Sequence, residues 1–290
     1  LINYLPMTFH IKKILITFFL FYSFGLFAQE HSNFWEIKSP DGSLNYLYGT
    51  IHTDDNRVSN ISKKVIEAMK ACQLFLMETD GISDPNLLTN NNLTYESYLD
   101  ESEIEKIRYL ADFHTMQYEK VIKMKPWLLA VIFDSPRPIT PFNLDNLLKT
   151  KAIDLGLEIK GIETSEEHFQ VLDDFSITEQ ISFLRKVLSL TMKQKELDYE
   201  ELMSAYLSQN SDYILKVNER LTKKLVTKDM WIKMKKKLLN ERNNLFFNRS
   251  IELMSKQQSF IAVGASHLGG IDGLLSQFKK SGYQIKALPN

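Results

Sequence analysis

The sequence predicts an α/β protein whose sheet draws strands from both ends of the chain, with a large helical insertion over about residues 95–255. Three observations point there. Short apolar, β-rich runs occur near both termini, a strand, Gly-x-x-His and helix order occurs twice, and the stretch between carries apolar residues at helical spacing.

Taken in chain order, the runs 34–37 and 44–48 flank Ser39-Pro40-Asp41-Gly42-Ser43, residues that favour a tight turn, and so form a β-hairpin. Residues 62–71 place Val65, Ile66 and Met69 on one helical face, ahead of Leu74-Phe75-Leu76-Met77, an all-apolar run expected of a strand covered on both faces. Spaced apolar residues then predict helices over 101–113, 127–133, 144–155, 166–173, 178–207 with a break, and 228–255. Thr164-Ser165-Glu166-Glu167 and Ser176-Ile177-Thr178-Glu179 are capping boxes, in which the hydroxyl accepts a backbone N–H and the glutamate reaches back. Pro136, Pro138 and Pro141 force a non-helical crossing. One strand, 159–162, interrupts the helical stretch, and the chain closes with strand 260–263, helix 273–280 and strand 283–288.

The 290 residues carry 35 Lys plus Arg against 36 Asp plus Glu, without the basic excess of a nucleic-acid binder, so no nucleic-acid partner is expected. The run Lys233, Lys235, Lys236, Lys237 reads as a solvated helix face. Cys72 is the sole cysteine, which excludes an intrachain disulfide and any multi-cysteine metal site and leaves His, Asp and Glu as ligands. Residues 7–28 read as a secretory signal peptide: Met7, then Lys12 and Lys13, an apolar run to a cut after Ala28, too short to span a bilayer comfortably. The expected product is one domain over 29–290, exported to the periplasm or beyond, touching a membrane only if the signal stays uncleaved.

The chemistry concentrates at strand ends. Gly49-Thr50-Ile51-His52 and Gly264-Ala265-Ser266-His267 form a pseudo-repeat, and a residue just past a strand end projects from the sheet edge where open α/β sheets bind ligands. Glu78 and Glu163 occupy the matching place on two other strands, so parallel strands would gather His52, Glu78, Glu163 and His267 at one edge. Two imidazoles and one or two carboxylates suit a divalent cation with open water positions, and the same set suits metal-free acid–base work. His114 and His168 lie in helical patterns without a partnered motif and read as structural or surface groups. Arg242 and Arg249 fall on the apolar stripe of the helix at 228–255, where an arginine needs a counter-charge such as Glu163 or a place facing the cluster.

The motifs Tyr48-Gly49-Thr50-Ile51-His52, Met77-Glu78-Thr79-Asp80, Leu144-Asp145, Gly161-Ile162-Glu163-Thr164, Glu241-Arg242-Asn243 and Val263-Gly264-Ala265-Ser266-His267-Leu268-Gly269-Gly270, in this order, resemble the TraB/GumN family, a relative of the Tiki metalloproteases. The resemblance implies a fold akin to the erythromycin esterase and ChaN group and a divalent metal (Mn, Co or Zn) at His52, His267 and Glu78. It also implies Arg242 and Asn243 as polar supports. Ser266 departs from the glycine common there, which puts the shape of that turn in question. The expectation is a metal-dependent, peptidase-like hydrolase in which bound water attacks an amide or ester carbonyl of a peptide or small molecule. Glu78 or Glu163 would act as base and Arg242 as clamp. A metal-free esterase-like hydrolase and a non-catalytic ligand- or haem-binding module are the alternatives.

Overall fold

In the computed structural model of the protein, residues 31–289 are described apart from 83, 91 and 141. The leader predicted over 7–28 and Pro141 lie outside the described residues. Strands β1 (Phe34–Lys38), β2 (Leu44–Thr50), β3 (Leu74–Met77), β4 (Glu158–Gly161), β5 (Ser259–Gly264) and β6 (Gln284–Leu288) form one mixed sheet ordered β4-β3-β5-β2-β1-β6. The predicted hairpin is there: β1 pairs antiparallel with β2 from Phe34 opposite Tyr48 to Lys38 opposite Leu44. Gly42, at φ 93°, makes the turn that a side chain would strain. β4, β3, β5 and β2 run parallel, so their C-terminal ends share one edge.

Both faces of this sheet are covered, which is why Leu74-Phe75-Leu76-Met77 is apolar throughout. On one face Phe34, Tyr48, Phe75, Met77 and Phe260 pack against helices α1 (Lys63–Lys70) and others introduced below. The alternate residues Trp35, Leu47, Leu74, Leu76, Ile261 and Val263 form a second cluster on the other face. Phe75 and Phe260 are fully buried with rings stacked 6.0 Å apart, and burying each contributes about 1.5–3 kcal/mol.

The remaining helices come in order: α2 (Glu101–Phe113), α3 (Tyr118–Val121), α4 (Pro126–Asp134), α5 (Leu144–Asp154), α6 (Ser165–Asp173), α7 (Ile177–Leu188), α8 (Met192–Leu207), α9 (Ser211–Leu225), α10 (Lys228–Met234), α11 (Arg242–Met254) and α12 (Leu274–Lys280). Residues from α5, α8 and α9 complete the first face, and α11 and α12 complete the second. A third cluster joins α2, α4 and α7 through Ile107, Leu129, Phe133, Leu184 and Val187, away from the sheet. Both predicted capping boxes form, at α6 and α7. The break expected within 178–207 falls between α7 and α8, where Thr191 and Gln194 build a further box. Two elements differ from expectation. α9 has no counterpart among the predicted elements, and the single helix expected over 228–255 is interrupted by a π-helical segment, Lys235–Glu241, just ahead of Arg242. No helix among the described residues is long and apolar enough to cross a membrane.

Candidate functional site

The register that sets β2 beside β5 pairs Gly49 with Val263 and Thr50 with Gly264, so the two Gly-x-x-His segments leave the sheet as neighbours. Gly49 makes room for the second motif and Gly264 for Glu78. A Cβ on Gly49 would lie 3.1 Å from Ala265, and one on Gly264 would lie 3.2 Å from Glu78 Oε1. Ser266 sits in the single 3₁₀ turn Ala265–His267 and takes no positive φ, so the loss of a glycine there leaves the turn unstrained.

Both imidazoles are held through Nδ1. His52 Nδ1 lies 2.8 Å from Asp145 Oδ2, and Asp145 Oδ1 accepts from Thr50 Oγ1 at 2.6 Å. Asp145 stands in the first turn of α5, where the helix dipole favours a carboxylate, and Leu144 N–H bonds Thr53 C=O to tie that turn to the His52 loop. His267 Nδ1 lies 2.6 Å from Asn243 Oδ1, while Asn243 Nδ2 donates to Asp272 C=O at 3.0 Å. Because the amide nitrogen is committed to a carbonyl, its oxygen must accept from His267, which places the ring proton on Nδ1 and leaves Nε2 as the lone-pair atom. In each case the outward nitrogen is Nε2.

Their electrostatics diverge. Asp145 pushes His52 up to about 9, against the opposing effect of burial, whereas burial pushes His267 down to about 4 despite Glu78 nearby. The His52 side chain is nonetheless 62% exposed, so it is reachable, while His267 is 7% exposed. Burial works against ionised Glu78, but Arg242, His267 and His52 outweigh it and hold the carboxyl well below the usual range.

Arg242 sits at the centre. Its Nη2 lies 2.5 Å from Glu78 Oε2 and 2.6 Å from Glu163 Oε1, and its Nε donates to both Glu163 oxygens at 3.1 and 3.2 Å. Nη1 reaches Leu238 C=O and His267 Nε2, both at 3.4 Å, which makes it the least committed end of the guanidinium. Glu78 Oε1 accepts from Gly264 N–H at 2.8 Å and stands 3.8 Å from His267 Nε2. Arg242 and Asn243 face different partners, as adjacent residues about 100° apart on a helix must, and the site lies at the flank between them.

Glu163, expected as a base, is buried with both oxygens on Arg242 and one also 2.7 Å from His168 Nδ1. His168, set aside as structural or surface, belongs to the cluster, and its position in the first turns of α6, just past the end of β4, was the available signal. Asp145 was legible only as part of a motif, since its contact with His52 spans 93 residues of sequence. Among the described residues, Glu78, Glu163 and His168 form the group whose potential metal-ligand atoms all lie within 4.8 Å of one another. The expected set of His52, His267 and Glu78 does not draw together that tightly. His52, His267, Glu78, His168 and Arg242 all line one cavity of about 470 Å³, walled by residues of α8, α9 and the π-helical segment.

An α/β sheet with two neighbouring Gly-x-x-His turns, their imidazoles oriented by a carboxylate and an amide around a buried Glu–Arg–Glu cluster, defines a class of strand-end-histidine proteins. The chain belongs to the TraB/PrgY/gumN family, which matches residues 33–287. No curated protein and no solved structure matches it.

Proposed function

We propose that the protein is a hydrolase of amide or ester bonds in a peptide or small molecule, working at this cavity with a divalent cation, and that it acts outside the cytoplasm after export. The observation that carries the reading is the pair of imidazoles with Nδ1 committed to Asp145 Oδ2 and Asn243 Oδ1, because metal-binding histidines are oriented by just such second partners. The donor set of two histidines and Glu78 fits Mn, Co or Zn in chemistry. His52, His267 and Glu78 would draw closer to hold the ion beside Glu163 and His168, whose potential ligand atoms already lie within 4.8 Å of one another and of Glu78, and the ion would supply Lewis acidity and a more acidic water. Arg242 is kept in place by Glu163 and offers Nη1 to a substrate oxygen. Asn243 fixes the His267 tautomer, and Asp145 fixes the orientation of His52.

One observation favours a metal-free version: Arg242 Nη2 already supplies positive charge among Glu78, Glu163 and His168. There the Asp145–His52 pair and neutral His267 would share proton transfer. Metal analysis of the purified mature chain, followed by peptide and ester hydrolysis assays with and without strong chelator, separates the two. Bound metal and chelator-sensitive turnover lost in His52→Ala are expected. Chelator-resistant turnover selects the metal-free version, and full activity of His52→Ala removes both.

A further inference from the structure

We propose that Lys195 is the specificity group of this cavity and holds a carboxylate carried by an otherwise apolar substrate. The inference rests on the hydrolase reading for the word substrate, but the binding it describes needs no turnover.

Lys195 lies in the opening turns of α8, four residues after the N-cap Thr191, and lines the same cavity as His52, His267 and Arg242. It is buried, 6% exposed, and its Nζ donates to Phe133 C=O at 2.7 Å. That neutral carbonyl is the hydrogen-bond partner the ammonium has among the described residues, against a capacity of three donors. Asp134 on α4 faces it, but burial pushes that carboxyl up and weakens it as a counter-charge. Asp198, one turn along α8, is committed to Lys224 Nζ at 2.7 Å. His114 and Arg137 also stand on this side and offer no negative charge. Three features therefore work against the ammonium: burial, a single neutral partner, and a place near the end of α8 where the helix dipole disfavours a cation. Consistent with them, burial pushes Lys195 down to about 8, only partly countered by Asp134.

Phe133 C=O and Asp134 offset these costs only in part, and an anion entering the cavity would offset more of them. Val131, Leu202, Leu221 and Leu225 line the same space, and apolar walls strengthen a charge pair that forms between them. One ammonium suits a single negative charge, which favours a carboxylate over a phosphate dianion. The substrate class is thus an apolar monocarboxylate whose scissile carbonyl lies toward the histidines.

The test is calorimetric binding of N-acetyl-leucyl-leucine and its C-terminal amide to the full mature protein. The acid is expected to bind about tenfold or more tightly than the amide, the worth of one charge-assisted hydrogen bond. Lys195→Met is expected to erase that preference while leaving amide binding in place, and Lys195→Arg to restore part of it. Inorganic phosphate at the concentration of the acid is expected not to compete, because the apolar walls give its remaining oxygens no partners. Equal binding of acid and amide, binding of neither, displacement by phosphate, or a preference that survives in folded Lys195→Met would each overturn the proposal. Should Lys195→Met not fold, the wild-type acid–amide comparison and Lys195→Arg decide it. Absence of turnover on any peptide would remove the hydrolase reading and leave an acid-over-amide preference standing.

Discussion

The buried charges around Arg242 hold one another, and the sign of each local imbalance can be tested. Arg242 lies between Glu78 and Glu163, all three buried, so Arg242→Leu strands two carboxylates in the interior. A loss of about 3–5 kcal/mol in urea unfolding is expected, far more than for an exposed pair such as Lys193 with Glu196. Asp145→Ala frees His52 to rotate, and a drop of about 10–100-fold in metal affinity is expected, read by equilibrium titration with the fold checked by circular dichroism. His114 gives a pH signature. Its Nε2 is buried without a hydrogen-bond partner among the described residues, and burial first, then Lys195 and Arg137, push it from 6.5 down to about 4. The folded state therefore binds fewer protons than the unfolded chain between those values, so this contribution to stability is present above pH 6.5 and is lost as the pH falls toward 4. His267 has the same sign, so His114→Phe should flatten that slope in part, as seen by thermal melts across the range. His52, Glu78, Glu163 and His267 were visible in the sequence because motif and strand-end placement coincide, and Arg242 and Asn243 because a motif falls at an arginine on the apolar stripe of a helix. His168 and Asp145 were not read as site groups, because one is reached around a helix turn and the other through tertiary contact alone.

At the level of elements, strands and capped helices were legible because their signals are local: apolar runs of four, turn residues, and hydroxyl–glutamate pairs. The π-helical segment was not. Apolar residues at 234, 238 and 245 suit an unbroken α-helix, and no local residue announces the wider turn. Its effect is to set the phase of α11, and hence where Arg242 and Asn243 point. Inserting one alanine beside exposed Lys236, where the π turn already takes up its extra residue, should advance α11 by about 100°. Activity is then expected to vanish while far-ultraviolet circular dichroism barely changes, and retained activity would show that the phase does not matter. α9 carries Ile214, Val217 and Leu225 inward and Asn210 as N-cap, so its amphipathic signal was present in the sequence but lay among many charged residues.

Across the whole molecule, the α/β class and the contribution of both chain ends to one sheet were legible from the pseudo-repeat. Strand order was not, since nothing in the sequence says that β5 inserts between β3 and β2. The helical stretch is also less separate than its composition suggests, because β4 returns from within it to pair with β3. With Phe260, Ile261, Ala262 and Val263 all buried, β5 should exchange its amide hydrogens only on global unfolding. Hydrogen-exchange mass spectrometry is expected to show it slowest, and the α2, α4 and α7 cluster opening earlier as its own unit.

The side-by-side placement of β2 and β5 joins residues more than two hundred positions apart. Synthesis must therefore run at least to His267 before that residue can meet Glu78, and such long-range pairing is slow. Until then the two Gly-x-x-His segments stay apart, and the cluster takes shape only when β5 is inserted between β3 and β2.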